Sequence, residues 1–334
     1  MQIPAINAAL IERATVALQK GGLVALPTET VYGLAADADN EGAMRALFAA
    51  KGRPPDHPVI VHIDHFDAIA DWASDVPESA IALARAFWPG PLTLVLKRTP
   101  RVSNLVTGGQ DTVGLRAPSH PWMRAVLQKF GGALAAPSAN SFGRISPTTA
   151  QHVMDDLGEK PRGRVDLILD GGACPIGIES TIVDLSGPTP SLLRPGAISR
   201  EALQNVLGSA MFDAAAHAPR ASGRLEKHYA PRTPLSVLSI DEIAVELSVA
   251  PNARAPRIAV LAPMHVLEAC RATVVLAIAA ADSSDDYTRL LYTHLHRLDS
   301  SGADRLLVAR PPSGPEWAAV RDRLRRAEAG AASP

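Results

Sequence analysis

The chain has 334 residues, close to the length of two domains, with 47% hydrophobic, 20% charged and only 4% aromatic side chains, a globular composition able to bury a large aliphatic core without disulfides or metal. Thirty-three basic residues against 34 acidic ones leave a net charge of −1, so no bulk basic field exists to bind nucleic acid or membrane. Cys174 and Cys270 lie far apart and match no zinc spacing, the N-terminus lacks a basic and apolar leader, and apolar runs such as 274–281 are far shorter than the ~20 residues that span a bilayer, so a soluble cytoplasmic protein is expected.

Taken in chain order, Asn7 caps a helix whose apolar positions Leu10, Ala14, Ala17 and Leu18 share one face, and Gly21-Gly22 ends it. A strand at 23–26 follows. Asn40 caps a second helix carrying Ala43, Met44, Leu47 and Phe48, which stops at Lys51-Gly52-Arg53-Pro54-Pro55. Further strands are expected at 59–63, 92–96, 113–116, 134–136, 167–169, 181–185 and 192–194, and Pro77 and Pro121 suit the first turns of the helices after them. The pattern degrades from about 207 to 232, which reads as a linker. A second alternation then places strands at 235–238, 258–262, 274–278 and 306–309. Helices begin at Asp241 and Met264 and span 287–298 and 315–327. The fold class is therefore α/β: a twisted mixed sheet flanked by helices, followed by a smaller Rossmann-like doubly wound domain. The expected divisions are a larger α/β domain at 1–206, a linker at 207–233 and a smaller α/β domain at 234–334. Charge is even across them, with 18 basic and 20 acidic residues up to Glu201 and 15 and 14 after it.

No G-x-x-x-x-G-K-[ST] loop, G-x-G-x-x-G turn, H-E-x-x-H or G-x-S-x-G occurs in the chain, so any nucleotide chemistry needs another cradle. Four polar segments interrupt the apolar strand pattern. Pro27-Thr28-Glu29-Thr30-Val31-Tyr32-Gly33-Leu34 puts hydroxyls, a carboxylate and a phenol just after a strand, either as a ligand crevice or as a Pro-initiated loop. Lys51-Gly52-Arg53-Pro54-Pro55-Asp56-His57-Pro58 puts two cations on one rigid stretch, either as a polyphosphate clamp or as a solvated helix end. The run from Ala136 to Thr148 holds Ser138, Asn140, Ser141, Arg144 and Ser146, a dense set of groups suited to phosphate and ribose, although Ser146 alone reads as the cap of a helix starting near Pro147. Gly177-Ile178-Glu179-Ser180-Thr181 precedes Leu193-Arg194-Pro195-Gly196. Arg194 and Arg116 each read as reaching a crevice or as a surface ion pair. The histidines His57, His62 and His65 lack the carboxylates of a metal motif.

In this order, together with Trp88-Pro89-Gly90-Pro91-Leu92-Thr93, the segments resemble the YrdC-like family of threonylcarbamoyl-AMP synthases over about residues 5–205. The second domain and Ser222-Gly223-Arg224-Leu225-Glu226-Lys227-His228-Tyr229-Ala230-Pro231 resemble its two-domain branch, with Ser222 standing where the usual pattern has proline. The resemblance implies an enzyme that converts L-threonine, bicarbonate and ATP to threonylcarbamoyl-AMP and pyrophosphate, with Mg²⁺ accompanying ATP and no protein ligands assigned to it. The product would pass to the threonylcarbamoyl-transferase proteins that modify tRNA. Carried over by residue, the threonine pocket comprises Thr30, His62, Arg116 and Ser180, with Thr28 and Thr181 close enough to exchange roles. The nucleotide contacts comprise Lys51, Arg53, His57, Ser138, Asn140, Ser146, Arg194 and Tyr229, and Lys51 and Arg53 would act on the reacting phosphate. His228-Tyr229 resembles a lid that closes over nucleotide. Two rival readings are an RNA-binding module that uses the same crevice and a carbamoyl-adenylating enzyme with another acceptor. Arg321, Arg323, Arg325 and Arg326 read as a solvated helix end before they read as an RNA contact.

Overall fold

The computed structural model describes residues 3–214, 218–248, 256–268 and 274–331; Met1, Gln2 and Cys270 lie outside the described residues. The chain forms two compact units, one of residues 1–142 and 146–224 and the other of residues 143–145 and 225–334.

The strands of the first unit are β1 (Val24–Leu26), β2 (Gly33–Asp37), β3 (Ile60–His62), β4 (Leu92–Lys97), β5 (Thr112–Arg116), β6 (Leu134–Ala135), β7 (Leu167–Ile168), β8 (Thr181–Asp184), β9 (Ser191–Arg194) and β10 (Phe212–Asp213). They make one mixed sheet in the order β10-β9-β8-β4-β5-β3-β6-β2-β1-β7. Two registers position its polar strand ends. Parallel pairing of β3 with β5 sets His62 opposite Arg116, and parallel pairing of β4 with β8 sets Leu92 opposite Thr181. Strand β2 departs from the sequence expectation, which carried a loop through Leu34. Gly33, Ala35 and Ala36 have weak strand preference, yet β2 is held between β1 and β6 in antiparallel pairing and is buried along four of its five residues.

The helix caps follow the residue chemistry. The Asn7 side chain accepts from the amides of Ala9 and Leu10 at the start of helix Ala8–Gln19, and Asn40 accepts from Ala43 N before helix Glu41–Lys51. Gly52 closes that second helix in the left-handed region at φ +63°, a conformation glycine adopts without a Cβ penalty. The closure leaves Lys51 buried at the helix end. Pro121 occupies the first helical turn as expected, whereas Pro77 sits one residue earlier, at the N-cap of helix Glu78–Phe87. Ser146 is not a helix cap. Helix Ala150–Asp156 begins later, and Thr149 caps it by accepting from His152 N at 3.2 Å.

Within the first unit, the described residues of 208–224 are not a free linker. β10 pairs with β9, and Ala214, Ala218 and Ala221 pack on Val95, Ile182 and Leu193 of the sheet.

The second unit has four parallel strands, β11 (Leu235–Leu238), β12 (Ile258–Ala262), β13 (Val274–Ala279) and β14 (Arg305–Ala309), in the order β11-β14-β12-β13. Apolar residues of β12 and β14 pack with Ile243 and Leu247 of helix Ile240–Ser248. The arginines of helix Ala318–Ala331 differ from the solvated end expected of them. Arg323 and Arg326 are buried: Arg323 donates to Asp322 Oδ2 and Arg326 Nε donates to Asp322 Oδ1, both at 2.9 Å.

Candidate active site

Strand periodicity gathers the polar residues on one face of the first sheet. Side chains two apart share a face, so His62 lies on the face of Ile60 and Arg116 on that of Gly114. Ile60, Thr93, Gly114 and Ile182 floor a cavity of about 20 Å³ on this face, with Ala221 and Ser222 also in its lining. That is room for about one water.

Arg116 is 4% exposed and is held by three acceptors from two separate segments. Its Nε donates to Gly90 O at 3.2 Å, Nη1 to Thr30 Oγ1 at 2.9 Å and Nη2 to Glu29 Oε1 at 2.5 Å. Thr30 is fixed in turn by Thr28, whose hydroxyl lies 2.8 Å from that of Thr30 and accepts from the amides of Thr30 and Val31. His62 is buried beside Arg116 with its Nδ1 unpartnered. Burial, reinforced by the neighbouring Arg116 charge, pushes its imidazole down to about 3, so it is neutral at physiological pH. Ser180 Oγ lies 2.8 Å from Thr93 Oγ1.

Lys51 is turned inward. Its Nζ donates to the carbonyls of Ser138 at 2.5 Å and Asn140 at 2.6 Å, while its own carbonyl accepts from Phe142 N at 2.8 Å. The loop 137–142 is thus strung across the end of helix Glu41–Lys51. Burial first, and then the Arg53 charge, pushes the Lys51 ammonium well below its ordinary range. An anion placed against Nζ would raise it again. Arg53 donates to Pro58 O at 2.7 Å and to Ser222 Oγ at 3.3 Å, and its guanidinium stands 5.5 Å from the Phe142 ring centre. His57 meets the same ring edge-on at 5.3 Å, and its imidazole is lowered by partial burial and then by Arg53.

Arg194 is buried and is not a surface ion pair. Its Nε and Nη2 donate to Ser180 O at 3.1 and 3.0 Å, and Nη1 donates to Ser222 O at 2.8 Å. Ser146 is buried and donates to Glu179 Oε1 at 2.5 Å. The expected residues of the first unit therefore fall into linked sets: Arg116 with Thr30 and beside His62, Lys51 with the Ser138 and Asn140 segment, Arg53 with His57 around Phe142, and Arg194 with Ser180. Tyr229 belongs to the second unit, where its ring lies 5.7 Å from Tyr292 and under Arg323 at 5.3 Å.

Three participants were absent from the expected set. Glu29 and Glu179 stood inside recognised segments without an assigned part, and each is a buried carboxylate, a type seldom buried without a partner to explain it. Ser222 ties Arg53 and Arg194 together. Its hydroxyl also donates to Pro58 O at 2.9 Å, a contact the usual proline could not make. Cys174 is buried and its thiol is pushed up by burial, which leaves it unreactive.

This arrangement of cations, hydroxyls and carbonyls around a sheet face suits a small polyanion together with a carboxylate. A sequence profile described as telomere recombination matches residues 16–196, and one described as threonylcarbamoyl-AMP synthase, C-terminal domain, matches residues 198–329. The chain is 37% identical to a threonylcarbamoyl-AMP synthase of Pyrococcus abyssi over 93% of this chain and 91% of that protein. It is 35% identical to one from Bacillus subtilis over 96% and 93%. A crystal structure of P. abyssi Sua5 complexed with L-threonine superposes with a TM-score of 0.85 at 33% identity, covering 98% of this chain and 96% of that one. The polar segments, both units and nearly the whole length are accounted for together: the chain belongs to the threonylcarbamoyl-AMP synthase family.

Proposed function

We propose that this protein condenses L-threonine, bicarbonate and ATP into L-threonylcarbamoyl-AMP and pyrophosphate, for the threonylcarbamoyladenosine modification of tRNA. The observation that carries the reading is the Arg116 guanidinium. Of its five N–H donors, three are engaged by Gly90, Thr30 and Glu29, which leaves one on each terminal nitrogen for an amino-acid carboxylate. Thr30, Ser180 and neutral His62 would complete the threonine pocket.

The threonine amine, once deprotonated, attacks the carbon of bicarbonate; the C–OH bond breaks, its oxygen leaves as water with a proton from the amine, and a carbamate remains. A carbamate oxygen then attacks the α-phosphorus of ATP, the bond from that phosphorus to the β-bridging oxygen breaks, and pyrophosphate leaves with the electron pair. No side-chain nucleophile is needed; the work is to hold two anions in line and to meet the developing charge. Lys51 and Arg53 would serve the phosphates, with His57, Ser138, Asn140, Ser146 and Arg194 around the nucleotide. Lys51 suits this because its hydrogen-bond acceptors are neutral carbonyls, which leave its charge to an incoming phosphate. Mg²⁺ would enter as the chelate of ATP, and no set of protein carboxylates is assigned to it. Tyr229 belongs to the other unit, and its share in nucleotide binding is read by protease sensitivity around Arg224 with and without ATP plus threonine. A cytoplasmic setting, with transfer of the product to threonylcarbamoyl-transferase proteins, follows from substrates and product of this kind.

The test is product analysis after incubation with ATP, bicarbonate and threonine, omitting one substrate at a time and replacing threonine by serine, glycine or ammonia. Threonylcarbamoyl-AMP formed only when all three are present is the expected result. Equal turnover with another acceptor, or salt-sensitive RNA binding without turnover, would overturn the reading.

A further inference from the structure

We propose that Glu29 is a positioning residue for threonine binding: it fixes the Arg116 guanidinium so that its two remaining terminal N–H groups face the substrate carboxylate. The inference rests on the carboxylate-binding part given to Arg116 above.

The two side chains are 6% and 4% exposed. Burying such a pair costs desolvation that is often not recovered, and apolar residues of similar volume commonly do as well or better for stability. Stability alone is therefore a weak reason for this pair. Its geometry supplies a stronger one. Glu29 is anchored at both oxygens, Oε1 accepting from Arg116 Nη2 and Oε2 from Ser119 N at 3.1 Å. The backbone beneath it is fixed as well, since Glu29 O accepts from Ile176 N at 2.9 Å. Glu29 and Thr30 are consecutive, and each takes one terminal nitrogen of the same guanidinium, while Gly90 O takes Nε. With all three nitrogens held, neither rotation of the guanidinium plane nor a swing of the side chain is open. Its unused donors keep one direction before any ligand arrives, which reduces the ordering cost of binding.

Removing the negative charge alone, by Glu29→Gln, keeps the shape and loses the charge-assisted bond. The expected result is a threonine KM raised roughly 10-fold or more, as for truncating one partner of a buried charge pair. The KM for ATP should stay within about twofold, because the Lys51 and Arg53 surroundings are untouched. Glu29→Asp, which withdraws the carboxylate by one methylene, should shift the threonine KM in the same direction. ATP binding by calorimetry and near-ultraviolet circular dichroism report folding of the full chain. In the double variant with Arg116→Gln, the threonine KM should be no worse than with Arg116→Gln alone, since Glu29 acts through that guanidinium.

A rise in threonine KM for Arg116→Gln but not for Glu29→Gln would overturn the role of Glu29 and leave the carboxylate reading intact. No rise in either would overturn both. Equal losses for threonine and ATP, a fall in kcat alone, or failure of both Glu29 variants to fold would show Glu29 to be structural and end the proposal.

Discussion

Arg116 in the first unit and Arg323 in the second are both buried arginines bonded to a carboxylate, and they are built in opposite ways. The acceptors of Arg116 come from two segments, the consecutive pair Glu29 and Thr30 and the separate Gly90, each distant from Arg116 in sequence and brought to it by the fold. Arg323 bonds the adjacent Asp322, which Arg326 on the same helix shares, and its guanidinium covers Tyr229. A cluster local to one helix satisfies charges that the helix itself buries. An arrangement drawn from two distant loops fixes one guanidinium in space, which a ligand site needs and a core does not. Loss of a member should therefore appear as lost substrate binding or turnover in the first unit and as lost stability in the second.

The largest effect belongs to Lys51. Lys51→Ala removes both the cation proposed to meet phosphate and the two bonds that hold the segment of Ser138 and Asn140. Turnover should fall on the order of 10²-fold or more, as for loss of a donor that meets transition-state charge. Pyrophosphate release dependent on ATP and threonine measures it, and release at the wild-type rate would remove Lys51 from the chemistry.

The second unit gives the contrasting outcome. Asp322→Ala leaves Arg323 and Arg326 buried without their shared carboxylate, at a cost of about 3–5 kcal/mol in stability, read from denaturant unfolding. Burial pushes the Asp322 carboxyl up, but the charges of Arg323, Arg326 and Arg325 outweigh it, and the net shift is downward. With the folded value below the unfolded one, this stability is present above about pH 4 and is lost as pH falls through the folded value. The variant should accordingly show a shallower acid limb than the wild type. An unchanged limb would mean that the cluster does not couple to folding.

A smaller effect is expected at Gly196. A Cβ there would stand 2.4 Å from Thr181 N and 2.7 Å from Ser180 C, backbone atoms that cannot swing aside. Gly196→Ala should cost about 1–3 kcal/mol as overpacking and displace Ser180, raising the threonine KM. An unchanged KM in folded protein would detach Ser180 from the threonine pocket.

These residues also show what the sequence makes legible. β-branched and Leu-rich runs announced most strands, and the four site segments stood out because polar groups broke those runs. Strand β2 was hidden by its small residues, whose strand conformation is imposed by β1 and β6 on either side. Ser146 offered a local role as a cap, but a partner 33 residues away claims its hydroxyl. The bonds of Arg116 to Glu29 and of Lys51 to Ser138 each span 87 residues. Linear spacing carries no register, so residue types could be named from the segments while their partners could not.

Ser222 provides the finest test, because the sequence departs there from the family pattern and the structure gives the departure a use. Its hydroxyl donates to Pro58 O and accepts from Arg53 Nη2, and its carbonyl accepts from Arg194 Nη1. One residue thus bridges two arginines assigned to the nucleotide. Ser222→Ala removes the hydroxyl and keeps the carbonyl, so Arg53 loses one neutral acceptor and Arg194 loses nothing. A hydrogen bond from a charged donor is worth about 1.5–3 kcal/mol, and at 3.3 Å the lower end applies, which corresponds to a rise in the ATP KM of roughly 10-fold with the threonine KM unchanged. A change confined to threonine would mean that Arg53 serves the amino acid, and the separation of a carboxylate-binding arginine from phosphate-binding cations would fail.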